Sequence, residues 1–333
     1  MLKLLKRVVD GKNLNSDQAA QAMRLIIGGS LSPVLTASFL TAMRMKGETE
    51  EELASFALVM RQNATRIYPR VSRKLVDTCG TGGDNSGTFN ISTIAAFIAA
   101  GAGVPIAKHG NRAVSSFCGS ADVLEALGAK MLEPKKVEEC ISKIGVGFMF
   151  APFFHPAMKN VMPIRKELGF RTFFNLLGPL TNPAGATAQV LGVFSPALLE
   201  KFASVLLHLG SESAMVVHSE GMDEIGLGKT NICEIKGGKI KKYDFEASSF
   251  GFSKAPLPHP SDRKDAANIM LHILSGKEEG PGRDCAILNA AAAIYVGGKA
   301  TSLKQGVMLA EKSLSSELAY EKLKQFISFT NRC

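Results

Sequence analysis

The chain contains no tryptophan, and aromatic residues make up only 7% of it. With so few rings there is no evident platform on which bases could stack, which counts against a reader of single-stranded nucleic acid. Six cysteines, at positions 79, 118, 140, 233, 285 and 333, form no CxxC pair and no zinc-type spacing. They read as reduced thiols rather than as a disulfide framework or a metal site. No segment reaches the ~18 consecutive apolar residues that a membrane span needs. The opening MLKLLKRVVDGK also lacks the apolar run and cleavage site of a signal peptide. A cytoplasmic protein without a membrane partner is expected.

What is present is enough for two domains, or for one domain with a sizeable lobe, in 333 residues. The composition, 46% hydrophobic and 21% charged, is that of a globular chain, and the net charge of +9 suits anionic ligands. The first seventy residues read as helices. Asn15-Ser16-Asp17 precedes an apolar-periodic run that ends at Gly28-Gly29, Ser32-Pro33 starts a second helix, and Thr49 to Glu52 forms a capping box. After Pro69 the pattern alternates. Strands are expected at Leu75–Cys79, Val104–Lys108, Val146–Ala151, Ala188–Val193, Ala214–His218 and Asn231–Ile235. Helices are expected at Ile91–Ala99, Ala121–Leu127, Val137–Ile144 and, capped by Ser195, at Pro196–Leu209. The alternation argues for an α/β fold with a mostly parallel sheet, and Lys236-Gly237-Gly238-Lys239 for a hairpin at its edge.

Four stretches carry chemistry. The first is Leu75 to Ala99, a strand that enters a helix through a loop bearing Gly80, Gly82, Gly83 and Gly87, with Asp84, Thr88, Asn90, Ser92 and Thr93 interleaved. It is neither a Walker A sequence nor GxGxxG. Its glycines permit positive φ and close backbone approach, and the helix end offers N–H groups and a positive dipole, which together predict an anion site. The second is Lys108-His109-Gly110-Asn111-Arg112-Ala113-Val114-Ser115-Ser116, just past a strand end where open α/β sheets place ligands. Its cations, amide and hydroxyls suit phosphate oxygens. The third is the carboxylate pair Asp223-Glu224 on a loop after a strand, able to share a hard cation such as Mg²⁺ with substrate phosphates. A fourth stretch, His155 to Pro183, holds Arg165, Lys166 and Arg171, and any of these could meet a carboxylate.

Taken together, GTGGD (Gly80 to Asp84), NIST (Asn90 to Thr93), KHGNRAVSS (Lys108 to Ser116), GSAD (Gly119 to Asp122), FNLLGPLTNP (Phe174 to Pro183) and MDE (Met222 to Glu224) resemble the anthranilate phosphoribosyltransferase family. The resemblance runs along nearly the whole chain and includes the helix around Asn289. It implies transfer of phosphoribose from phosphoribosyl pyrophosphate to the amine of anthranilate, with release of pyrophosphate, in tryptophan biosynthesis. It also implies a small helical N-terminal domain, residues 1–70 joined by helices from about 155–183, and a larger α/β domain, residues 71–333. The active cleft would lie between them, in a homodimer formed through the helical domain.

By the same resemblance, Gly80, Gly83, Asp84, Thr88, Asn90, Ile91, Ser92, Thr93, Lys108 to Ser116 and Ser120 would bind the donor. Gly80, Asn111 and Arg165 would meet anthranilate, and Ser92, Asp223 and Glu224 would hold Mg²⁺. The sequence departs from the family pattern at Cys118, at Gly226 and at Ser315-Ser316-Glu317. An arylamine is neutral at pH 7, so catalysis should rest on positioning and on stabilising the leaving group, with Lys108 as the cation and no single base; His109 is the alternative base. Competing readings are a pyrimidine nucleoside phosphorylase and a non-catalytic relative that binds nucleic acid. The FNLLGPLTNP run argues against the first and the intact GTGGD and KHGN against the second, so no nucleic-acid partner is expected.

Overall fold

The computed structural model describes residues 1–84, 86–113 and 118–333. Four helices open the chain: α1 (Leu2–Val9), α2 (Ser16–Ile27), α3 (Pro33–Lys46) and α4 (Glu50–Gln62). Their boundaries follow local chemistry. Asn15 and Thr49 each form a capping box, and Pro33 sits in the first turn of α3. The capping glutamate of α4, Glu52, is fully buried. It pairs with Lys46 at 2.8 Å and accepts the backbone N–H groups of Leu14 and Thr49, so the buried charge is well partnered.

Seven strands form one sheet: β1 (Val76–Gly80), β2 (Ile106–Gly110), β3 (Val146–Phe150), β4 (Ala188–Gly192), β5 (Ser213–His218), β6 (Lys229–Lys236) and β7 (Lys239–Glu246), in the order β3-β2-β1-β4-β5-β6-β7. The pairs from β3 to β5 are parallel, and β6 and β7 add an antiparallel edge joined by the expected Gly237-Gly238 turn. The mostly parallel sheet expected from the sequence is the one observed. Parallel strands are covered on both faces, which accounts for the complete burial of β3 and β4.

One hydrophobic cluster lies between the sheet and the helices α5 (Ile91–Gly101) and Pro281–Val296. Residues of α5 are buried almost all round, as expected of a helix apolar on every face. Each large side chain buried there contributes about 1.5–3 kcal/mol. A second cluster joins the lobe helices to the helix Leu199–His208, to Cys79, Leu191 and Val216 of the sheet, and to Val161, Phe173 and Leu180. Phe173 stacks on Phe56 of α4, ring centroids 4.4 Å apart. The chain from 155 to 183 thus shares the core of the lobe.

Some boundaries moved. The second strand starts at Ile106 rather than Val104, because Pro105 has no N–H to give to a ladder. Ser195 makes no side-chain cap; Pro196–Leu198 forms a 3₁₀ turn and the α-helix begins at Leu199. Asn90 stands at the N-cap of α5, yet its side-chain amide donates instead to the Cys118 carbonyl. Among the described residues no helix is long and apolar enough to cross a membrane.

Candidate active site

The strand order reverses between β1 and β4, and open α/β sheets bind ligands at such a switch point, beyond the C-terminal ends of the strands. At that place β1 ends in Gly80 and β4 in Gly192, and the two are paired across the ladder. A Cβ on Gly80 would stand 2.3 Å from Asp223 Oδ2, and one on Gly192 would stand 1.4 Å from the Asp223 carbonyl oxygen. The paired glycines therefore form a bare backbone shelf on which the acidic turn lies. Asn289 fastens the turn from behind, accepting the N–H of Ile225 through its side-chain oxygen and donating to the carbonyl of Ile225. Sequence reading attributed Gly80 to close approach by a ligand; in the structure the close approach is made by Asp223. Gly82, Gly83 and Gly87 do adopt positive φ, at 62°, 70° and 62°.

The start of α5 was expected to present open N–H groups. The Ile91 N–H reaches the Phe89 carbonyl and the Thr93 N–H the Asn90 carbonyl, while the Ser92 N–H donates to Glu224 Oε1 at 3.1 Å. A carboxylate does occupy the positive end of the helix, and it belongs to the protein. Buried oxygens of Asn90 (Oδ1) and Thr93 (Oγ1) have no hydrogen-bond partner among the described residues. Ile91 itself is packed in the core.

Asp223, Glu224 and Asp84 crowd together. Asp223 Oδ2 accepts the Gly82 N–H at 2.7 Å, and the Asp223 N–H points at Asp84 Oδ2 at 3.4 Å. Burial, reinforced by the neighbouring Asp84 carboxylate, pushes Asp223 up to about 7; burial and the adjacent Asp223 push Glu224 up to about 8. Lys108, itself buried, donates to the Thr78 carbonyl and to Ser92 Oγ, so its ammonium lies under the loop, behind Ser92. Burial lowers its pKa and the Asp77 carboxylate opposes the shift. The hydroxyl of Ser92 and two carboxylates are hard oxygen donors, the set that Mg²⁺ takes together with phosphate oxygens and water. Among the described residues no group of three or more His, Cys, Asp or Glu side chains is placed to hold a metal ion.

His109 is held within the protein at both ring nitrogens. Its Nδ1 lies 3.2 Å from the Gly178 carbonyl, which can only accept, so Nδ1 carries the proton. Its Nε2 lies 3.2 Å from Nε2 of His155 and must then accept from it. Both ring nitrogens are engaged, both rings are buried, and burial lowers both pKa values, that of His155 to about 3. In this arrangement both nitrogens of the His109 ring are directed at groups of the protein. It joins β2 to the Gly178-Pro179 turn.

Asn111, Arg112 and Ala113 of the second loop follow the end of β2. Asn111 accepts at its carbonyl from the Ala121 N–H and the Ser120 hydroxyl, while its side chain accepts from the Arg112 N–H. Arg112 pairs with Glu125 at 2.7 Å on the surface and stacks over Phe150. Asp122 Oδ2 accepts the N–H groups of both Ala113 and Gly119, closing the base of the loop. Val114, Ser115 and Ser116 lie outside the described residues. In the first loop Thr88 pairs with the Ser86 hydroxyl and Asp84 accepts from the Ser86 N–H.

Arg165 lies over the Phe174 ring at 5.5 Å and touches Met162 Sδ; among the described residues it has no carboxylate partner. Sequence reasoning missed Gly192, Asn289 as a clasp and His155. Each acts across the sheet or between elements far apart in the chain, and no local motif marks it.

The chain matches two models of one family, the glycosyl transferase helical bundle domain over residues 2–64 and the glycosyl transferase a/b domain over residues 72–320. The anthranilate phosphoribosyltransferase of Methanocorpusculum labreanum is 53% identical over 97% of this chain and 96% of its own length. The crystal structure of the Thermus thermophilus enzyme of that name superposes with a TM-score of 0.93 at 44% identity, covering 98% of this chain and 99% of that one. A Saccharomyces cerevisiae anthranilate phosphoribosyltransferase in complex with PRPP and Mg superposes with a TM-score of 0.91 at 29% identity, covering 100% and 98%. With its fold, its motifs in order and these full-length matches, the chain belongs to the anthranilate phosphoribosyltransferase family of glycosyl transferases.

Proposed function

We propose that the chain transfers phosphoribose from phosphoribosyl pyrophosphate to the amine of anthranilate, releasing pyrophosphate, in the route to tryptophan. The observation that carries the reading is the acidic turn seated on Gly80 and Gly192 at the switch point, against the glycine loop, the start of α5 and Lys108. In the reaction the amine nitrogen bonds to ribose C1 as the bond from C1 to the pyrophosphate oxygen breaks. The proton leaves the resulting ammonium for water or the departing pyrophosphate, so no side-chain base is required.

The donor would be held by Gly80, Gly83, Asp84, Thr88, Asn90 to Thr93, Lys108 to Ser116 and Ser120. Lys108 would act from beneath, through Ser92. Asp223, Glu224 and Ser92 would hold Mg²⁺, which when bound neutralises charge on the pyrophosphate. Anthranilate would meet Gly80, Asn111 and the free fork of Arg165, whose two parallel N–H groups match a carboxylate. The helical unit is residues 1–70 joined by 155–183 and the α/β unit is 71–333. The lobe exposes Leu2, Val9, Val34 and Met45, which supports pairing through it into a homodimer. The setting is the cytoplasm, with small molecules rather than nucleic acid as partners.

Anthranilate fluorescence tests the reading. It should fall only when protein, Mg²⁺ and phosphoribosyl pyrophosphate are all present, and folded protein that leaves it unchanged would discard the assignment. In the same assay Arg165→Ala should raise the KM for anthranilate by about 10- to 100-fold, the loss expected for a charged hydrogen bond, while donor KM stays near that of the parent. An unchanged anthranilate KM would remove Arg165 from the acceptor site.

A further inference from the structure

Of the four lysines and arginines between His155 and Pro183, the structure singles out Arg171 by what it touches. Its Nη1 donates to two successive carbonyls of the glycine loop, Gly82 at 3.1 Å and Gly83 at 3.2 Å. The guanidinium lies over the Phe194 ring at 4.3 Å, and the Phe194 N–H is in turn fastened to Thr81 Oγ1. Gly82 is thus held from both sides, its N–H by Asp223 and its carbonyl by Arg171. At Gly83, φ is +70° and a Cβ would fall 1.7 Å from Nη1. The third glycine of GTGGD makes room for an arginine of the protein. Two residues on, Phe173 is stacked on Phe56 in the lobe, so the side chain that reaches the loop is anchored at its other end in the helical core.

Carbonyl oxygens beside a pyrophosphate repel it, and a cation seated on them removes that repulsion. We infer that Arg171 is a positioning residue for the phosphoribosyl donor: it holds the Gly82 and Gly83 carbonyls and ties the conformation of the glycine loop to the helical lobe. The inference rests on the proposed reaction, since it takes the loop to be the donor site. Arginine suits the place because its flat fork can stack on Phe194 while donating, which an ammonium cannot do.

The test compares Arg171→Ala, Arg171→Lys and the parent by fluorescence kinetics, and titrates phosphoribosyl pyrophosphate with Mg²⁺ calorimetrically. Arg171→Ala should weaken donor binding and raise donor KM by about 10- to 100-fold, with anthranilate KM within about twofold of the parent. Arg171→Lys, which keeps the donation without the stacking, should fall between them. Gly83→Ala should do less further damage in the Arg171→Ala background than in the parent, because the clash has gone; additive effects would mean the two do not interact. A rise confined to anthranilate KM, or lowered stability with both KM values unchanged, overturns the inference. Should Arg171→Ala not fold, Arg171→Lys with donor affinity equal to the parent's overturns it as well. A parent protein that consumes no anthranilate fails the functional reading instead, and the two failures are told apart by that control.

Discussion

The imidazole pair His109 and His155 fixes its own protonation by geometry. A carbonyl that only accepts settles the first proton, and each later proton follows from it. His155 ends with Nδ1 buried and without a hydrogen-bond partner among the described residues. Its folded pKa, about 3, lies below the ordinary 6.5, so the unfolded chain binds the extra proton first. The stability this neutral ring confers is fully present above pH 6.5 and is lost as the pH falls towards 3. Each unit of that fall costs up to about 1.4 kcal/mol. His155→Gln keeps a donor for His109 but cannot take up a proton. Urea midpoints at pH 7.5 and 5.5 should therefore differ less in this variant than in the parent, and equal differences would show that the ring does not titrate on unfolding.

Strand ends, rather than loops, set the geometry of the acidic turn. Gly192→Ala would drive a methyl group into the Asp223 carbonyl and should displace the turn, at about 1–3 kcal/mol of stability, the usual range for overpacking. More Mg²⁺ should then be needed for half-maximal activity. A Mg²⁺ titration that overlays the parent would mean that the turn does not depend on the shelf. Much at this scale was legible beforehand. The capping box at Thr49, the Gly237-Gly238 hairpin and the alternation of strands and helices all follow from neighbours in sequence. The shelf did not, because Gly80 and Gly192 meet only once β1 and β4 pair. The helix end was half legible: its position was clear, but its anion, Glu224, arrives from 132 residues away. Glu317 is a similar case. In the Ser315-Ser316-Glu317 turn the glutamate takes φ +59° just before the last helix, a left-handed conformation that favours glycine.

Across the whole molecule, the lobe and the sheet are joined through one shared hydrophobic cluster, in which Phe173 lies between Phe56 and Phe174. Phe173→Ala should destabilise the chain by about 3–5 kcal/mol, read from the denaturant midpoint. A loss below about 1 kcal/mol would place the fastening elsewhere in the cluster. The cations divide on a different principle. Most of the net +9 charge is carried on the surface, where dissolved ions shield it beyond about 8 Å at physiological salt. Lys108 is 4% exposed, and no counterion can take its place beside Ser92. If Lys108 holds the donor as proposed, adding salt should slow the arrival of that anion while leaving its residence time almost untouched, so that encounter and retention would answer to different charges in the same protein.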